Sequence, residues 1–163
     1  MGRKIAKTNA ARILDKENIS YEIMQYKTGD GLVDGISVAA KIGYPEEVVY
    51  KTLVAVGASK QHYVFVIPVG DELNLKAAAK AAGEKKIEMA PVKDILQLTG
   101  YIRGGCSPVG MKKPFPTFLA HVAEQRSEII VSAGKVGMQI KLSPADLIAV
   151  TDGKYALLTV ADL

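Results

Sequence analysis

Two apolar runs, "VVYKTLVAVG" over residues 48–57 and "HYVFVIPVG" over residues 62–70, constrain this chain more than any other feature. Each is rich in valine, isoleucine and aromatic residues, and only the turn-like "ASKQ" separates them. Branched and aromatic side chains suit a pleated surface, so two such runs with a short polar break read as a β-hairpin. Both strands are expected to be largely buried, and whatever fold the chain adopts has to cover them.

The flanking segments alternate helix and strand signals. Thr8 can cap a first helix that ends at Asn18, and "ISYEIMQY" reads as a strand closing at Tyr26. "GDGLVDGIS" reads as loop, with Ser37 as the cap of a short helix "VAAKIG" leaving at Gly43. After the hairpin, Asn74 opens a helix ending at Gly83, and "PVKDILQLTG" opens on proline and ends on glycine. "TFLAHV", "EIIVSAG", "GMQIKL" and "KYALLTV" read as strands, with Ser143 and Pro144 opening one more helix over "PADLIAV". This is too many adjacent strands for a doubly wound parallel sheet and too many helices for a β-sandwich. The expected architecture is α+β: a single domain over 1–163, with a mixed, mostly antiparallel sheet curled toward a barrel and flanked by helices.

A length of 163 residues suits one domain, and 48% hydrophobic residues can fill one core. One cysteine excludes an internal disulfide, and two histidines cannot complete a Cys/His zinc cluster of the usual spacing. No cofactor or metal is expected. No apolar run nears the roughly 20 residues that span a bilayer, and "MGRKIAKTNAARIL" has no apolar signal core, so the expected location is cytoplasmic, away from membrane. A net charge of +4 admits a polyanionic partner without requiring one. There is no G-x-x-x-x-G-K-[ST] loop, and "GYIRGG" lacks the strand-to-helix setting of a dinucleotide fingerprint, which excludes P-loop chemistry.

The segment "GYIRGGCSPVGMKKPFP", residues 100–116, collects a glycine pair, the single cysteine, three basic residues and three prolines. With "ISYEIMQY", "VYKTLV", "KKIEMA" and "EIIVSAGKVGMQI", it forms an ordered set that resembles the YbaK/EbsC family of aminoacyl-tRNA deacylases across nearly the whole chain. That family is related to the editing domain of bacterial prolyl-tRNA synthetases, and its best known activity is hydrolysis of Cys-tRNA(Pro) in trans. The resemblance implies a tRNA acceptor end as ligand, with prolyl-tRNA synthetase as a possible partner. It also implies a substrate-assisted reaction, in which the cysteinyl thiol attacks its own ester and no protein nucleophile is required.

The resemblance assigns residues that pattern alone leaves ambiguous. Strand alternation reads Lys51 as an exposed lysine with Tyr50 and Thr52 on the opposite face, whereas the family match puts Lys51 and Thr52 at the site, the ammonium against the tRNA end. Tyr26 reads either as a sheet aromatic or as the group placing the terminal adenosine or aminoacyl moiety. Gly104 and Gly105 turn the chain, and the match adds close approach of their amides to the ester carbonyl. Ser132, in "VSAGK", and Gln139 become substrate contacts. Some relatives carry aspartate where Gln139 stands; glutamine still accepts a hydrogen bond but offers no charge to an α-ammonium, a variant closer to the EbsC branch.

Arg103, Lys112 and Lys113 are expected to form a phosphate-binding rim, with Lys135 a weaker candidate of the same kind. His62 and His121 sit in apolar runs and read as sheet residues. Cys106 reads either as a small packing residue or as a nucleophile that folding would have to bring near a base; the resemblance decides for packing, because the family motif tolerates residues such as isoleucine at this position. Two functions follow from these readings: an editing hydrolase, which is favoured, or a non-catalytic tRNA- or protein-binding regulator of the same fold.

Overall fold

The computed structural model describes residues 7–160, and the hairpin is its centre. β2 (Tyr50–Gly57) and β3 (His62–Pro68) pair antiparallel from Tyr50↔Pro68 to Val56↔His62, and every residue from Tyr63 to Val69 is buried. Phe65 is fully enclosed and stacks on Phe118 with ring centroids 5.6 Å apart.

Two sheets surround this hairpin. The larger runs β4-β2-β3-β5-β8, where β4 is Ile87–Met89, β5 is Thr117–Ala120 and β8 is Lys154–Ala156. β4 and the hairpin pair antiparallel, while β3–β5 and β5–β8 are parallel. The smaller sheet is antiparallel with order β1-β7-β6, formed by β1 (Glu22–Gln25), β6 (Ile129–Lys135) and β7 (Met138–Leu142). A bridge between Val49 and Ile130 joins the two sheets at one corner. The α+β class and the mixed, mainly antiparallel pairing are as expected, but the sheets bend toward each other without closing a barrel.

Local chemistry explains most helix boundaries. α1 (Asn9–Lys16) starts where the Thr8 hydroxyl accepts the Ala11 amide at 3.2 Å, and ends before Asn18 at φ +59°. α3 (Leu75–Ala82) begins where the Asn74 side chain accepts the Ala77 amide at 2.9 Å, and α5 (Pro144–Thr151) begins at Ser143. α2 (Gly35–Ile42) differs from expectation, because its cap is Asp34 and not Ser37. The Asp34 carboxylate accepts both the Ser37 amide, at 3.0 Å, and the Ser37 hydroxyl, at 2.7 Å. An ionised acceptor three residues earlier outcompetes the serine, and the helix gains a turn at its start.

Other expected elements are shorter. α4 covers only Ile95–Thr99, since Val92–Asp94 forms a 3₁₀ turn. β5 stops at Ala120, where its ladder with β8 ends at Ala120↔Ala156, and His121–Gln125 turns into a 3₁₀ helix that buries Ala123. β8 likewise ends at Ala156 rather than Val160. The chain beyond it braces α3 instead: Leu158 O accepts the Asn74 amide at 2.8 Å, and Thr159 bridges Leu73. β4, in "KKIEMA", is a strand that its composition did not announce.

Candidate functional site

The corner where the sheets meet opens into a cleft of about 680 Å³. Its walls come from the β1–α2 loop (Gly31, Val33, Asp34), the start of β2 (Tyr50 to Leu53), the glycine-rich loop (Arg103, Gly104, Cys106), and Ser132 and Gln139 of the smaller sheet. β4 pairs with β2 only at Ala55–Gly57, so the first half of β2 has no strand neighbour on that side. Residues of both strand faces therefore reach the cleft, which is why Tyr50, Lys51 and Thr52 all line it despite their alternation.

Lys51 is half-buried, and its ammonium makes no hydrogen bond or ion pair among the described residues. Desolvating an ammonium without a partner is costly, so its position favours an anion in the cleft. Thr52 also lines the cleft, and its hydroxyl is buried with no hydrogen-bond partner. Gln139 is only 5% exposed and stands opposite Ser132 in the β6–β7 register and opposite Met24 in β1. The Ser132 hydroxyl accepts the Gly134 amide at 3.1 Å, shaping the bulge that follows.

The glycine pair divides its work. Gly104 lines the cleft at φ +86°, where a β-carbon would find ordinary contacts with Val33 and Val136, so backbone conformation and not space restricts the residue. Gly105 is buried away from the cleft lining, and a β-carbon there would sit 2.9 Å from the Val136 nitrogen and 3.1 Å from the Lys135 carbonyl carbon. Its amide already donates to Ile102 O at 3.0 Å. Gly105 thus docks the loop on the β6–β7 turn, and Gly104 is the member of the pair that faces the cleft.

Tyr101 completes that docking. Its hydroxyl donates to Val109 O at 2.7 Å, and its ring lies where a side chain at Gly134 would be. Cys106 lines the cleft, and burial pushes its thiol up to about 11, eased in part by a hydrogen bond with Thr99. A thiol in that state stays protonated at neutral pH and is a poor nucleophile. His62 packs against Phe115 with centroids 5.6 Å apart and His121 is exposed; neither lines the cleft.

The structure does not bring every expected residue to the lining. Tyr26 is 9% exposed and lies outside the cleft wall, its hydroxyl buried without a partner and its ring 5.6 Å from the Lys41 ammonium. Arg103 lines the cleft and is exposed, while Lys112, Lys113 and Lys135 are exposed residues outside it. Two groups escaped the sequence reading. Asp34 is the single carboxylate among the lining residues, its carboxyl held below the usual range by hydrogen bonds from the Ser37 hydroxyl and amide. The other is Lys41, whose three contacts cross the loop ahead of α2. The D-G-x-S spacing carried a signal for Asp34; nothing in sequence marked Lys41.

A cleft with unpaired cations, a glycine at its wall and no activated nucleophile among its lining residues suits an already reactive ester on an anionic carrier. The chain belongs to the aminoacyl-tRNA editing domain family, whose model matches residues 34–150. Within it, the chain is 47% identical over 156 residues to an Enterococcus faecalis protein named "Putative Cys-tRNA(Pro)/Cys-tRNA(Cys) deacylase EbsC", covering 96% of this chain and 95% of that protein. Its fold is similar to a solved structure titled "putative trans-editing enzyme for prolyl tRNA synthetase", with TM-score 0.79 at 23% identity, covering 95% and 99% of the two chains. A structure of a hypothetical protein superposes with TM-score 0.85 at 20% identity, covering 93% and 99%.

Proposed function

We propose that this chain, acting as one domain over residues 1–163, is a trans-acting editing deacylase of mischarged tRNA, with Cys-tRNA(Pro) as its substrate. The observation that carries the reading is the unpaired Lys51 ammonium, on a strand that lines the same cleft as Arg103 and Gly104, with no activated nucleophile among the lining residues. Family membership and the name of the Enterococcus relative support it.

The chemistry needs orientation and charge more than a reactive side chain. An aminoacyl ester is already activated, so holding it in an attack geometry supplies much of the acceleration. The thiol of the bound cysteinyl group attacks its own carbonyl carbon, forming a C–S bond. The bond from that carbon to the ribose oxygen breaks, the oxygen takes up the proton lost by sulfur, and cysteine leaves as a cyclic thiolactone that water opens. Lys51 binds the terminal phosphate or sugar as a compact charge. The backbone at Gly104 approaches the carbonyl, while Thr52, Ser132 and Gln139 hydrogen-bond the acyl part; Tyr26, covered and outside the cleft wall, is given no substrate contact.

Arg103, Lys112 and Lys113 form an outer rim for acceptor-stem phosphates. On this reading the cleft takes the acceptor end alone, and selection of tRNA(Pro) falls to prolyl-tRNA synthetase in the cytoplasm. Incubating purified protein with Cys-tRNA(Pro), Ala-tRNA(Pro), Ser-tRNA(Pro) and Pro-tRNA(Pro) tests this directly. Rapid release from Cys-tRNA(Pro), with strong loss when serine replaces the thiol, is expected. No acceleration over spontaneous hydrolysis for any of the four would leave a non-catalytic binding module.

A further inference from the structure

The wall of the cleft formed by the β1–α2 loop has little to hold it in place. From Lys27 to Leu32 every residue is exposed, and the segment belongs to no helix or strand. Its internal hydrogen bonds are short-range: Leu32 N donates to the Asp30 carboxylate at 3.0 Å, and Val33 N to Gly31 O at 3.2 Å. Yet Gly31, Val33 and Asp34 line the cleft, and Val33 is the nearest side chain to the Gly104 α-carbon's missing branch. An isolated loop of this kind would sample many conformations.

One side chain crosses from α2 to stop it. The Lys41 ammonium donates to Lys27 O at 2.8 Å, to the Asp30 carboxylate at 2.9 Å and to Leu32 O at 2.9 Å, one hydrogen for each acceptor. The side chain is 17% exposed and lies 5.6 Å from the Tyr26 ring, so it joins the end of β1, the loop and the last turn of α2 at a single point. With all three donors used inside the protein, Lys41 has none left for a phosphate, in contrast to Lys51. An arginine could keep the charge but not this compact three-way geometry.

We infer that Lys41 is a positioning residue for the deacylase reaction: it pins residues 27–33 as the cleft wall facing Gly104 and so sets how tightly the aminoacyl end is held. The inference rests on the function proposed above. Because the pin acts on a binding wall, its loss should appear in KM and leave chemistry on the bound ester nearly untouched.

Lys41→Met keeps the apolar stem and removes the donors, and Lys41→Arg restores charge alone. Hydrogen–deuterium exchange over residues 27–33 reads the pin without any substrate, and deacylation kinetics on Cys-tRNA(Pro) read its consequence. The expected result is exchange in the loop faster by roughly tenfold in Lys41→Met, KM raised about tenfold with kcat within about twofold, and partial recovery of both in Lys41→Arg. Asp30→Asn, which removes the ion pair but retains an acceptor for Leu32 N, should move both readouts in the same direction by less. Unchanged exchange in Lys41→Met, or faster exchange with unchanged KM, overturns the inference. A wild-type protein inactive on every tRNA would defeat the proposed function separately, while the exchange measurement would still decide whether Lys41 pins the loop.

Discussion

β3 and the glycine-rich loop lie side by side in importance and are held by opposite means. β3 is buried from Tyr63 to Pro68 and hydrogen-bonded on both edges, so it needs apolar residues of about the right volume and little else. The loop from Gly100 to Pro116 has no ladder. It is held by single contacts: Tyr101 hydroxyl to Val109 O, Asn9 amide to Gly110 O at 3.1 Å, Val109 amide to the Ser107 hydroxyl at 3.2 Å, and Gly105 against the β6–β7 turn. A core strand tolerates substitution by type, whereas such a loop depends on particular residues.

The largest expected effect falls on the strand. Phe65→Ala removes a fully buried ring stacked on Phe118 and should destabilise the protein by about 3–5 kcal/mol, read as a lower urea midpoint, with activity lost only in proportion to unfolding. A change under about 1 kcal/mol would show that the hairpin core can collapse and that the contrast with the loop is false. Lys51→Ala is the converse: deacylation should fall by roughly a hundredfold, equivalent to about 2.7 kcal/mol in the barrier, with the unfolding midpoint unchanged. Retained activity would remove Lys51 from the site.

Two substitutions in the loop sharpen the comparison further. Gly105→Ala forces a methyl against the Lys135–Val136 backbone, which cannot yield as a side-chain tip could, and should cost about 1–3 kcal/mol of stability. Calorimetry showing no change would mean that the loop is not docked there. Cys106→Ala should have the smallest effect, keeping most of the activity across neutral pH because the thiol, pushed up to about 11, is neutral throughout that range. An aminoacyl adduct on Cys106, seen by mass spectrometry of a quenched reaction, would make it the nucleophile after all.

Elements that depend on neighbouring residues were legible in the chain. The hairpin, the caps at Thr8, Asn74 and Ser143, and the exits at Gly43, Gly83 and Gly100 follow from local propensity and capping, which act within a few positions. The Asp34 cap was misassigned because two acceptors competed within one turn and only geometry ranks them. Strand ends at Ala120 and Ala156 were overrun because a strand stops where its partner stops, and the partner lies 36 residues away, from 120 to 156.

The site divides in the same way. Five residues that the ordered motifs single out, Lys51, Thr52, Gly104, Ser132 and Gln139, line one cleft, and the roles given to them above are proposals. That Gly105 packs outside it, that Tyr26 is covered, and that Lys41 gathers three acceptors from a loop 9 to 14 positions earlier were decided by tertiary structure alone. The reason is the range of the forces involved. Propensities, caps and turns are settled by a residue and its immediate neighbours, so sequence determines them. Close packing and saturated hydrogen bonding between distant segments exist only once the two sheets have met at Val49 and Ile130.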